Sequence, residues 1–396
     1  MNKPEAKGWC PSALMPMMSG DGLLVRIKPA FSRLTSHQAQ MIALLSKRHG
    51  NGFMDITNRA NLQIRGLRQS DYPLMLKDLQ DSGIAETHEA RDGLNLMLAP
   101  FTESQSVGWR CAEALYNAAS AFPALPSKFG FAIDCGATRY LQHASCDIRV
   151  EIDETGQLLI RLDGCEQGYV TSEETFQSDI LQALYWFVSS QNKKRSYNRM
   201  HQLIADSDVP DIFTTTPPCK NTKSLYPGCE EDWHVIALPF GQITADQLLE
   251  IADQTQEIIF SINRCLVIDK TAVLGQQFIT SKDDLRYLVT ACAGMPACTN
   301  ASISTKQLAS KICESQAILA DKSYHISGCS KGCAMPSNSD ICIIGERGFY
   351  NMLENGCAWD KPSYTSLSES ALIDALLNLQ ILPSNLTYKR LEKNAL

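Results

Sequence analysis

The feature of this sequence that most restricts its fold is a strand–helix–strand pattern that occurs twice. In the first copy, the segment SGDGLLVRIKP leads into a Thr-initiated amphipathic helix over residues 35–49 and then into GFMDITNRANLQIRGL. In the second copy, WHVIALPFGQ leads into a helix that begins at Thr244 and then into EIIFSINRCLVIDK. An Asn-Arg dipeptide follows the helix in both copies, as Asn58-Arg59 and as Asn263-Arg264. The pattern predicts a diverged internal duplication, built from units that bury their apolar faces against partners.

The chain between and after the two copies has its own strand and helix signals. A short helix at residues 71–83 and a strand GLNLMLAPF precede an Asp- and Arg-containing β segment at 129–163 and a helix at 172–190. Residues 207–230 are rich in Pro, Thr and Asp, which predicts a linker between the halves. After the second copy, the helix SKDDLRYLV leads into TACAGMPAC.

The composition excludes several classes of protein. A chain of 396 residues with 44% apolar residues can bury a substantial core in two or three domains. A formal net charge of -7 argues against a nucleic-acid-binding protein. The N-terminal segment lacks the apolar core of a secretory signal, and runs such as ALYWFV are too short to cross a bilayer. We therefore expect a cytoplasmic protein that binds neither nucleic acid nor a membrane.

Four of the fifteen cysteines stand out by their spacing. Cys292 and Cys298 form a C-x5-C pair, and Cys329 and Cys333 form a C-x3-C pair. Each iron of a cubane takes one cysteine sulfur, so four thiolates on two Gly- and Pro-containing loops suit a [4Fe-4S] cluster. Cysteine pairs in structural zinc sites are usually separated by fewer residues than in C-x5-C. Four thiols without any metal could also have this spacing. The spacing favours a cluster and leaves zinc and free thiols as alternatives.

A second candidate site is cationic. If DITNRANLQIRG is one strand, alternation places its polar side chains on one face, namely those of Asp55, Thr57, Arg59, Asn61, Gln63 and Arg65. Arg26 on a neighbouring predicted strand and Lys128 in the turn LPSKFGF add two more cations. Such a set can bind a polycarboxylate or a small oxyanion, and a solvated outer face is the alternative.

Together these motifs resemble the sulfite/nitrite reductase superfamily over about residues 8–380. The duplicated unit, TNRANLQIRG and the paired cysteine motifs carry the resemblance. Within the superfamily, GWCPSALMPMMSGDGLLVRIKP, LPSKFGFAID, CDIRVEI and ISGCSKGCAMP are similar to a branch that modifies a tetrapyrrole. The resemblance implies an α+β fold of duplicated ferredoxin-like halves plus two α/β lobes, with a pseudo-two-fold axis.

The resemblance also implies domain boundaries and site residues. The implied parts are a first ferredoxin-like half at 8–70, a first lobe at 71–206, a linker at 207–230, a second half at 231–275 and a cluster-bearing lobe at 276–385. The four spaced cysteines would hold a [4Fe-4S] cluster, and Arg26 and Lys128 would be catalytic. The implied binding residues for the tetrapyrrole are Arg59, Arg65, Asn61 and Gln63.

Three positions depart from the reductase or branch patterns. The second active-site lysine of the reductases would fall at Gly130, and another anion-binding arginine at Leu94. A His often follows the last cysteine motif in the branch, where this chain has Met335. The two lost cations weaken the case for sulfite or nitrite reduction and suit a larger, carboxylate-rich tetrapyrrole.

The resemblance therefore predicts an oxidoreductase that hydroxylates a tetrapyrrole with dioxygen and an unidentified electron donor. A second, mononuclear iron is expected in preference to sirohaem, because the substrate would occupy the sirohaem cavity. The alternatives are a sirohaem-dependent sulfite or nitrite reductase and a non-catalytic metal-binding protein.

Overall fold

The computed structural model of the chain describes residues 10–191, 196–230, 232–335 and 337–381. The expected boundaries at residues 8, 231 and 385 lie outside the described residues, as do Gly8, Trp9 and Pro336 of the quoted motifs. The chain divides between Lys282 and Asp283 into two compact units, called the larger unit and the smaller unit below. Within the described ranges, no helix combines the length and apolar character needed to cross a lipid bilayer.

The first copy of the repeat forms strands and helices in the predicted order. Its elements are β1 (Met17–Ser19), β2 (Gly22–Ile27), β3 (Arg33–Thr35), α1 (Ser36–His49), β4 (Phe53–Ile56), β5 (Leu62–Leu67) and α2 (Tyr72–Asp81). Helix α1 begins with a capping box, in which the Thr35 hydroxyl accepts the Gln38 N–H and the Gln38 side chain accepts the Thr35 N–H.

The region after the first copy forms an α/β lobe of the larger unit. Its elements are α3 (Glu89–Gly93), β6 (Leu96–Leu98), α4 (Val107–Ala118), β7 (Phe131–Asp134), β8 (Ile148–Ile152), β9 (Leu158–Leu162), β10 (Tyr169–Val170), α5 (Phe176–Ser189) and α6 (Met200–Asp206). The sheet has the order β10-β9-β8-β7-β6, with β6, β7 and β8 parallel and β9 antiparallel to β8. Its apolar face packs on side chains such as Ile180 and Phe187 of α5, which are almost completely buried.

The second copy repeats the order of the first. Its elements are β11 (Gly228–Glu230), β12 (Trp233–Ala237), β13 (Gln242–Thr244), α7 (Ala245–Ala252), β14 (Glu257–Phe260) and β15 (Cys265–Asp269). Thr244 and Gln247 form the same capping box at the start of α7. The short turn before β3 and the one before β13 each contain a phenylalanine at positive φ, Phe31 at 53° and Phe240 at 57°. The duplication inferred from the sequence is therefore visible in the backbone.

Each copy completes its sheet with a strand from the other copy. The two five-stranded sheets have the orders β1-β2-β5-β4-β13 and β11-β12-β15-β14-β3. Strand β13 of the second copy pairs with β4, and β3 of the first copy pairs with β14. Helices α1 and α7 pack against each other, and Ile42 and Leu248 on them are buried in a core shared by both copies. The two halves are thus interleaved.

The segment expected to form one long strand in each copy is a hairpin. In the first copy the chain turns at residues 57–61, so that Asp55 lies opposite Gln63. In the second copy it turns at Ile262–Arg264. The expectation of a single strand was wrong because alternation continues on both sides of a tight turn and does not reveal the reversal.

The smaller unit contains the second α/β lobe. Its elements are β16 (Val289–Ala291), α8 (Thr305–Glu314), β17 (Tyr324–Ser327), β18 (Ser339–Glu346), β19 (Phe349–Gly356), β20 (Tyr364–Leu367) and α9 (Glu369–Ile381). The sheet has the order β16-β17-β18-β19-β20, with β16, β17 and β18 parallel. The lobe thus repeats the parallel–parallel–antiparallel order of the first lobe. The α+β class is as predicted, and the five predicted domain ranges stay predictions.

Candidate functional site

The cysteine site, defined as Cys292, Cys298, Cys329 and Cys333, lies in the smaller unit. Cys292 directly follows β16, and Cys329 comes two residues after β17. These strands are parallel neighbours, and the Cys292 N–H donates to the Ile326 carbonyl at 3.1 Å. Parallel strands joined through a helix end at the same edge of the sheet, so the topology brings the two cysteine loops together.

The loop of the C-x5-C pair is shaped by Gly294. Its φ is +63°, and a β-carbon there would lie 2.3 Å from the Thr305 hydroxyl oxygen. That hydroxyl donates to the Cys292 carbonyl at 2.7 Å, and the Cys298 N–H donates to the Gly294 carbonyl at 2.8 Å. Only glycine fits where the loop turns this closely over the start of α8.

The loop of the C-x3-C pair depends on two glycines in the same way. Gly332 has φ +63°, and a β-carbon there would lie 3.0 Å from the Trp359 ring. A β-carbon on Gly328 would lie 2.5 Å from that of Ala301, on the other cysteine loop. The Gly328 N–H donates to the Cys292 sulfur at 3.2 Å, which ties the two loops together at a ligand atom.

The four thiols are close enough to act on one another. Burial raises the pKa of Cys329, a hydrogen bond from the Lys331 N–H opposes this, and Cys298 and Cys292 raise it further. Burial also raises the pKa of Cys333, on which the Lys331 ammonium and all three other thiols act. Four thiolates repel in such a setting unless a metal centre compensates their charge and displaces their protons.

The site differs from a compact single-ion site. Within the described part of the chain, no three His, Cys, Asp or Glu side chains converge on one ion. A cubane needs four thiolates spaced around a larger body, with backbone N–H groups donating to the sulfurs. The Gly328 and Lys331 N–H groups already donate to two of the sulfurs, so the donor set fits such a group.

The cationic group, defined as Arg26, Lys28, Arg59 and Arg199, lies in the larger unit. Arg26 on β2 is the cross-strand neighbour of Gln63 on β5. Within the described chain, its buried Nε has no hydrogen-bond partner, although the guanidinium hydrogen-bonds the Cys10 thiol. Burial lowers the pKa of Arg26, and Cys10 opposes this. A buried guanidinium N–H without an acceptor is rare, and an anion oxygen is one kind of partner that would satisfy it.

Lys28 comes directly after the end of β2, two residues beyond Arg26. Its ammonium donates to the Gly93 carbonyl at 2.9 Å. Burial lowers the pKa of Lys28 to about 8, with Asp92 acting against the shift and Arg26 adding to it. The sequence reasoning missed Lys28, although the two-residue spacing from Arg26 was a signal that could have found it.

Arg59 lies in the turn of the β4–β5 hairpin. The Thr57 hydroxyl accepts the N–H groups of Arg59 and Asn61 at 3.3 and 3.2 Å, and this closes the turn. The Arg59 guanidinium donates to the Lys128 carbonyl at 2.8 Å and to the Ser145 hydroxyl at 3.2 Å. Burial lowers its pKa, and the Arg199 charge lowers it further.

Arg199 is the member of the group that no motif indicated. Its Nε donates to Asp147 at 2.9 Å, and its Nη1 donates to the Ser145 hydroxyl at 3.1 Å. Residue 199 meets residue 59 only through long-range folding, so the sequence contains no local signal for this pairing. Ser145 and Cys10 were missed for the same reason.

The other predicted binding residues have different surroundings. Arg65 is only 3% exposed, and its guanidinium is bound by Asp21, Asp55 and Ser19. This pairing neutralises Arg65, and its role in tetrapyrrole binding stays a prediction. Asn61 is buried in the hairpin turn, where its carbonyl accepts the Thr57 N–H at 2.9 Å.

Lys128 and Gly130 lie beside the cationic group, because the Lys128 carbonyl accepts a hydrogen bond from Arg59. The Lys128 side chain is exposed, and its ammonium makes no hydrogen bond or ion pair within the described residues. The Gly130 N–H donates to Asp147 at 2.9 Å, and a β-carbon at Gly130 would lie 3.1 Å from the Asn95 carbonyl. A lysine at residue 130 would therefore need the chain at Asn95 to move. In the smaller unit, Met335 is partly buried.

Comparisons with known proteins agree with this fold. Residues 15–82 match the nitrite/sulfite reductase ferredoxin-like half domain. Over 94% of its length the chain is 27% identical to a precorrin-3B synthase of Sinorhizobium sp, of which the alignment covers 88%. The structure of the NirA protein of Mycobacterium tuberculosis superposes with a TM-score of 0.66 at 17% identity, covering 91% of this chain and 80% of that one.

These similarities confirm the resemblance inferred from the motifs. The tetrapyrrole-modifying branch that the chain resembles is the precorrin-3B synthases. The prediction of an oxidoreductase enzyme and the predicted nitrite/sulfite reductase-like α+β fold are confirmed with it. The chain thus has the nitrite/sulfite reductase-like fold, contains its ferredoxin-like half domain, and is similar along nearly its whole length to a precorrin-3B synthase.

Proposed function

We propose that this chain is an iron–sulfur monooxygenase of the precorrin-3B synthase type. It would hydroxylate precorrin-3A at C20, with closure of a γ-lactone by an acetate side chain, in aerobic cobalamin (vitamin B12) biosynthesis. Dioxygen would supply the hydroxyl oxygen, and an electron donor would supply the electrons that reduce the second oxygen atom to water. The similarity to a precorrin-3B synthase over 94% of the chain supports this reaction.

The observation that carries the proposal is the cationic group. Arg26, Lys28 and Arg59 are partly or largely buried, act on each other electrostatically, and include the donor of Arg26 that has no partner in the described chain. Precorrins carry several acetate and propionate groups, and guanidinium and ammonium donors are the usual partners of carboxylates. These cations would orient the macrocycle, and orientation is the main contribution that a protein makes to such chemistry.

The cysteine site would hold a [4Fe-4S] cluster through Cys292, Cys298, Cys329 and Cys333. When bound, the cluster supplies single electrons to the oxygen chemistry. The chain's own contribution is to hold the four sulfurs on two rigid loops and to direct the Gly328 and Lys331 N–H groups at two of them. A second, mononuclear iron in preference to sirohaem stays part of the proposal.

A sirohaem-dependent sulfite or nitrite reductase is the second candidate, because the half domain at residues 15–82 carries that family's name. The site argues against this candidate at Gly130, where the reductase pattern has a lysine and where a β-carbon would lie 3.1 Å from the Asn95 carbonyl, so that a longer side chain would require Asn95 to shift. A small oxyanion must be surrounded at short range by every active-site cation of the reductases. A large polycarboxylate can instead bind cations that lie farther apart.

The deciding experiment has two parts. Anaerobically purified protein is analysed for iron, labile sulfide, zinc and its visible spectrum, and is then incubated with precorrin-3A, a reductant and ¹⁸O₂. We expect about four labile sulfides and four cluster irons per chain, with one further iron when the mononuclear site is filled, and one labelled oxygen in the product. A sirohaem spectrum with sulfite or nitrite reduction would establish the second candidate. Zinc without sulfide, and no tetrapyrrole binding, would indicate a non-catalytic metal-binding protein.

A further inference from the structure

The first lobe contains a cavity at the sheet edge that corresponds to the edge of the cysteine site in the smaller unit. There, the order β16–α8–β17 places the cysteine loops after two parallel strands. In the first lobe, β6–α4–β7 repeats this order, and the chain after β6 and after β7 lines a cavity of about 210 Å³, called the lobe cavity below. Ligands of α/β sheets bind at this edge, beyond the carboxyl ends of the parallel strands. The residues that line the lobe cavity include Phe101, Glu103, Gly108, Asp134 and Tyr140, and no member of the cationic group.

Asp134, the last residue of β7, is a buried acceptor in the lobe cavity. It is only 2% exposed. One carboxylate oxygen accepts the N–H groups of Tyr140 and Leu141 at 2.7 and 2.6 Å. The other oxygen has no hydrogen-bond partner within the described residues. Burial raises the pKa of Asp134 to about 6, and the two N–H groups oppose this shift, so the carboxylate is mostly ionised at neutral pH. A buried carboxylate oxygen without a partner is rare, and a cationic donor satisfies it best.

The N-terminus of α4 provides donors at the same cavity. The Ser106 hydroxyl caps the helix by accepting the Trp109 N–H at 3.3 Å. The N–H groups of Val107 and Gly108, the first two helical residues, have no acceptor within the helix or in the rest of the described chain. A helix N-terminus with free N–H groups attracts a negatively charged group.

The acceptor and the donors lie close together. A β-carbon at Gly108 would lie 3.4 Å from the β-carbon of Cys135, the residue that follows Asp134. The lobe cavity therefore presents a carboxylate oxygen and a helix N-terminus, which attract opposite charges, to one bound molecule. A water molecule occupies about 30 Å³, so the cavity has room for a small organic molecule in place of about seven waters.

The remaining lining suits an organic cation better than a metal ion. The rings of Phe101 and Tyr140 meet edge to face, with centroids 5.0 Å apart. Aromatic rings and carboxylates together are typical surroundings of an organic ammonium group. Burial raises the pKa of Cys135 well above its usual range, which opposes the thiolate form that binds metals. Within the part of the chain that the structure describes, no three metal-binding side chains converge on one ion.

We propose that the lobe cavity binds a small zwitterion of the α-amino acid class. Its ammonium group would donate to the free oxygen of Asp134, and its carboxylate would accept from the N–H groups at the start of α4. This site is additional to the proposed tetrapyrrole chemistry and does not depend on it. It occupies the edge of the first lobe that corresponds to the edge where the smaller unit holds its four cysteines.

The test measures binding of radiolabelled L-alanine to the full chain by equilibrium dialysis. Ethylammonium, which lacks the carboxylate, and propionate, which lacks the ammonium group, are the competitors. We expect alanine to bind at least about tenfold more tightly than either analogue, because each analogue lacks one charged contact. Displacement by propionate as effective as displacement by alanine itself would overturn the zwitterion assignment.

Two variants locate the binding. Asp134→Asn keeps an oxygen for the Tyr140 and Leu141 N–H groups but removes the negative charge, and it should weaken alanine binding about tenfold. Gly108→Ala places a methyl group 3.4 Å from side-chain carbons of Thr102 and Cys135, which also line the cavity. It should weaken alanine binding without lowering the unfolding temperature, because alanine favours the helix more than glycine does.

Glu113→Gln is the matched control. Glu113 is exposed on the same helix, accepts the Trp109 indole N–H at 3.0 Å and does not line the cavity. This variant should bind alanine as the unaltered protein does, and circular dichroism checks the folding of all three variants. The proposal is wrong if no alanine is retained, which would indicate a cavity filled by water, or if Asp134→Asn and Gly108→Ala both retain alanine as well as the control.

Discussion

At the scale of single residues, Lys28 shows how burial gives a cation a titration near neutral pH. Burial lowers its pKa to about 8, and the Arg26 charge adds to the shift. The unfolded chain therefore binds this proton more tightly than the folded protein does. Between about pH 8 and the ordinary lysine pKa, the contribution of Lys28 to the free energy of unfolding rises with pH. The affinity for an anion falls over the same pH range, because Lys28 loses the positive charge that attracts the anion.

We therefore predict that affinity for a polycarboxylate falls as the pH rises through about 8. As the probe we take uroporphyrin, a porphyrin with eight carboxylates. Its expected loss of affinity between pH 7 and pH 9.5 is about tenfold, which corresponds to the free energy of one hydrogen bond to a charged group. Lys28→Arg keeps its charge over this range and should remove most of the dependence. Equal pH profiles for the two proteins would show that Lys28 does not contact the ligand.

The cysteines divide into two groups by their surroundings. Cys329 belongs to a site with three other thiols, whereas Cys111 is buried in helix α4 and burial raises its pKa to about 12. We predict that Cys329→Ser loses the cluster iron and sulfide and that Cys111→Ser retains both. Metal and sulfide analysis of anaerobically purified variants measures this. Similar iron losses in the two variants would show that the choice of the four spaced cysteines is wrong.

At the scale of elements, the β4–β5 hairpin separates two arginines that a single strand would have placed together. Arg59 lies in the turn and reaches the first lobe, while Arg65 on β5 binds Asp21 and Asp55 within its own sheet. The side chain of Arg65 is 4% exposed, so the pair lies in a setting of low polarity. Breaking one side of such a pair leaves buried charges uncompensated.

We predict that Arg65→Met lowers the free energy of unfolding by about 3–5 kcal/mol, the usual cost of removing one partner of a buried ion pair. Urea unfolding followed by circular dichroism measures this. The exposed pair of Arg110 and Glu173 supplies the control, because Arg110→Met should cost at most about 1 kcal/mol. A loss of tetrapyrrole affinity without a loss of stability would instead assign Arg65 to the binding site.

At the scale of the whole molecule, the exchange of strands joins the two copies into one folding unit. Strand β3 completes the sheet of the second copy, and β13 completes that of the first. The region that matches the half domain, residues 15–82, therefore leaves β4 without its outer neighbour and β3 without any strand partner. An unpaired strand exposes backbone groups and apolar side chains that the other copy covers.

We predict that residues 10–90 alone do not unfold cooperatively, whereas residues 10–282 do, with one transition. Calorimetry of the two fragments measures this, and agreement between the calorimetric and van't Hoff enthalpies is the criterion for a single transition. The larger fragment is the control for expression and solubility. Cooperative unfolding of the short fragment would show that a single copy folds without the exchanged strand.

The sequence alone determined the duplication, the helix starts at Thr35 and Thr244, and the spacing of the two cysteine pairs, because these depend on local spacing and capping that no tertiary contact alters. Only the tertiary structure decided that the Asn-Arg segments turn back as hairpins, that Arg65 is neutralised by Asp21 and Asp55, and that Arg199 meets Arg59 over Ser145. Each of these depends on residues far apart in the chain, and their meeting follows from the order of strands and the burial of charge. Alternation of polar and apolar residues along the chain reveals neither the order of the strands nor which charges are buried.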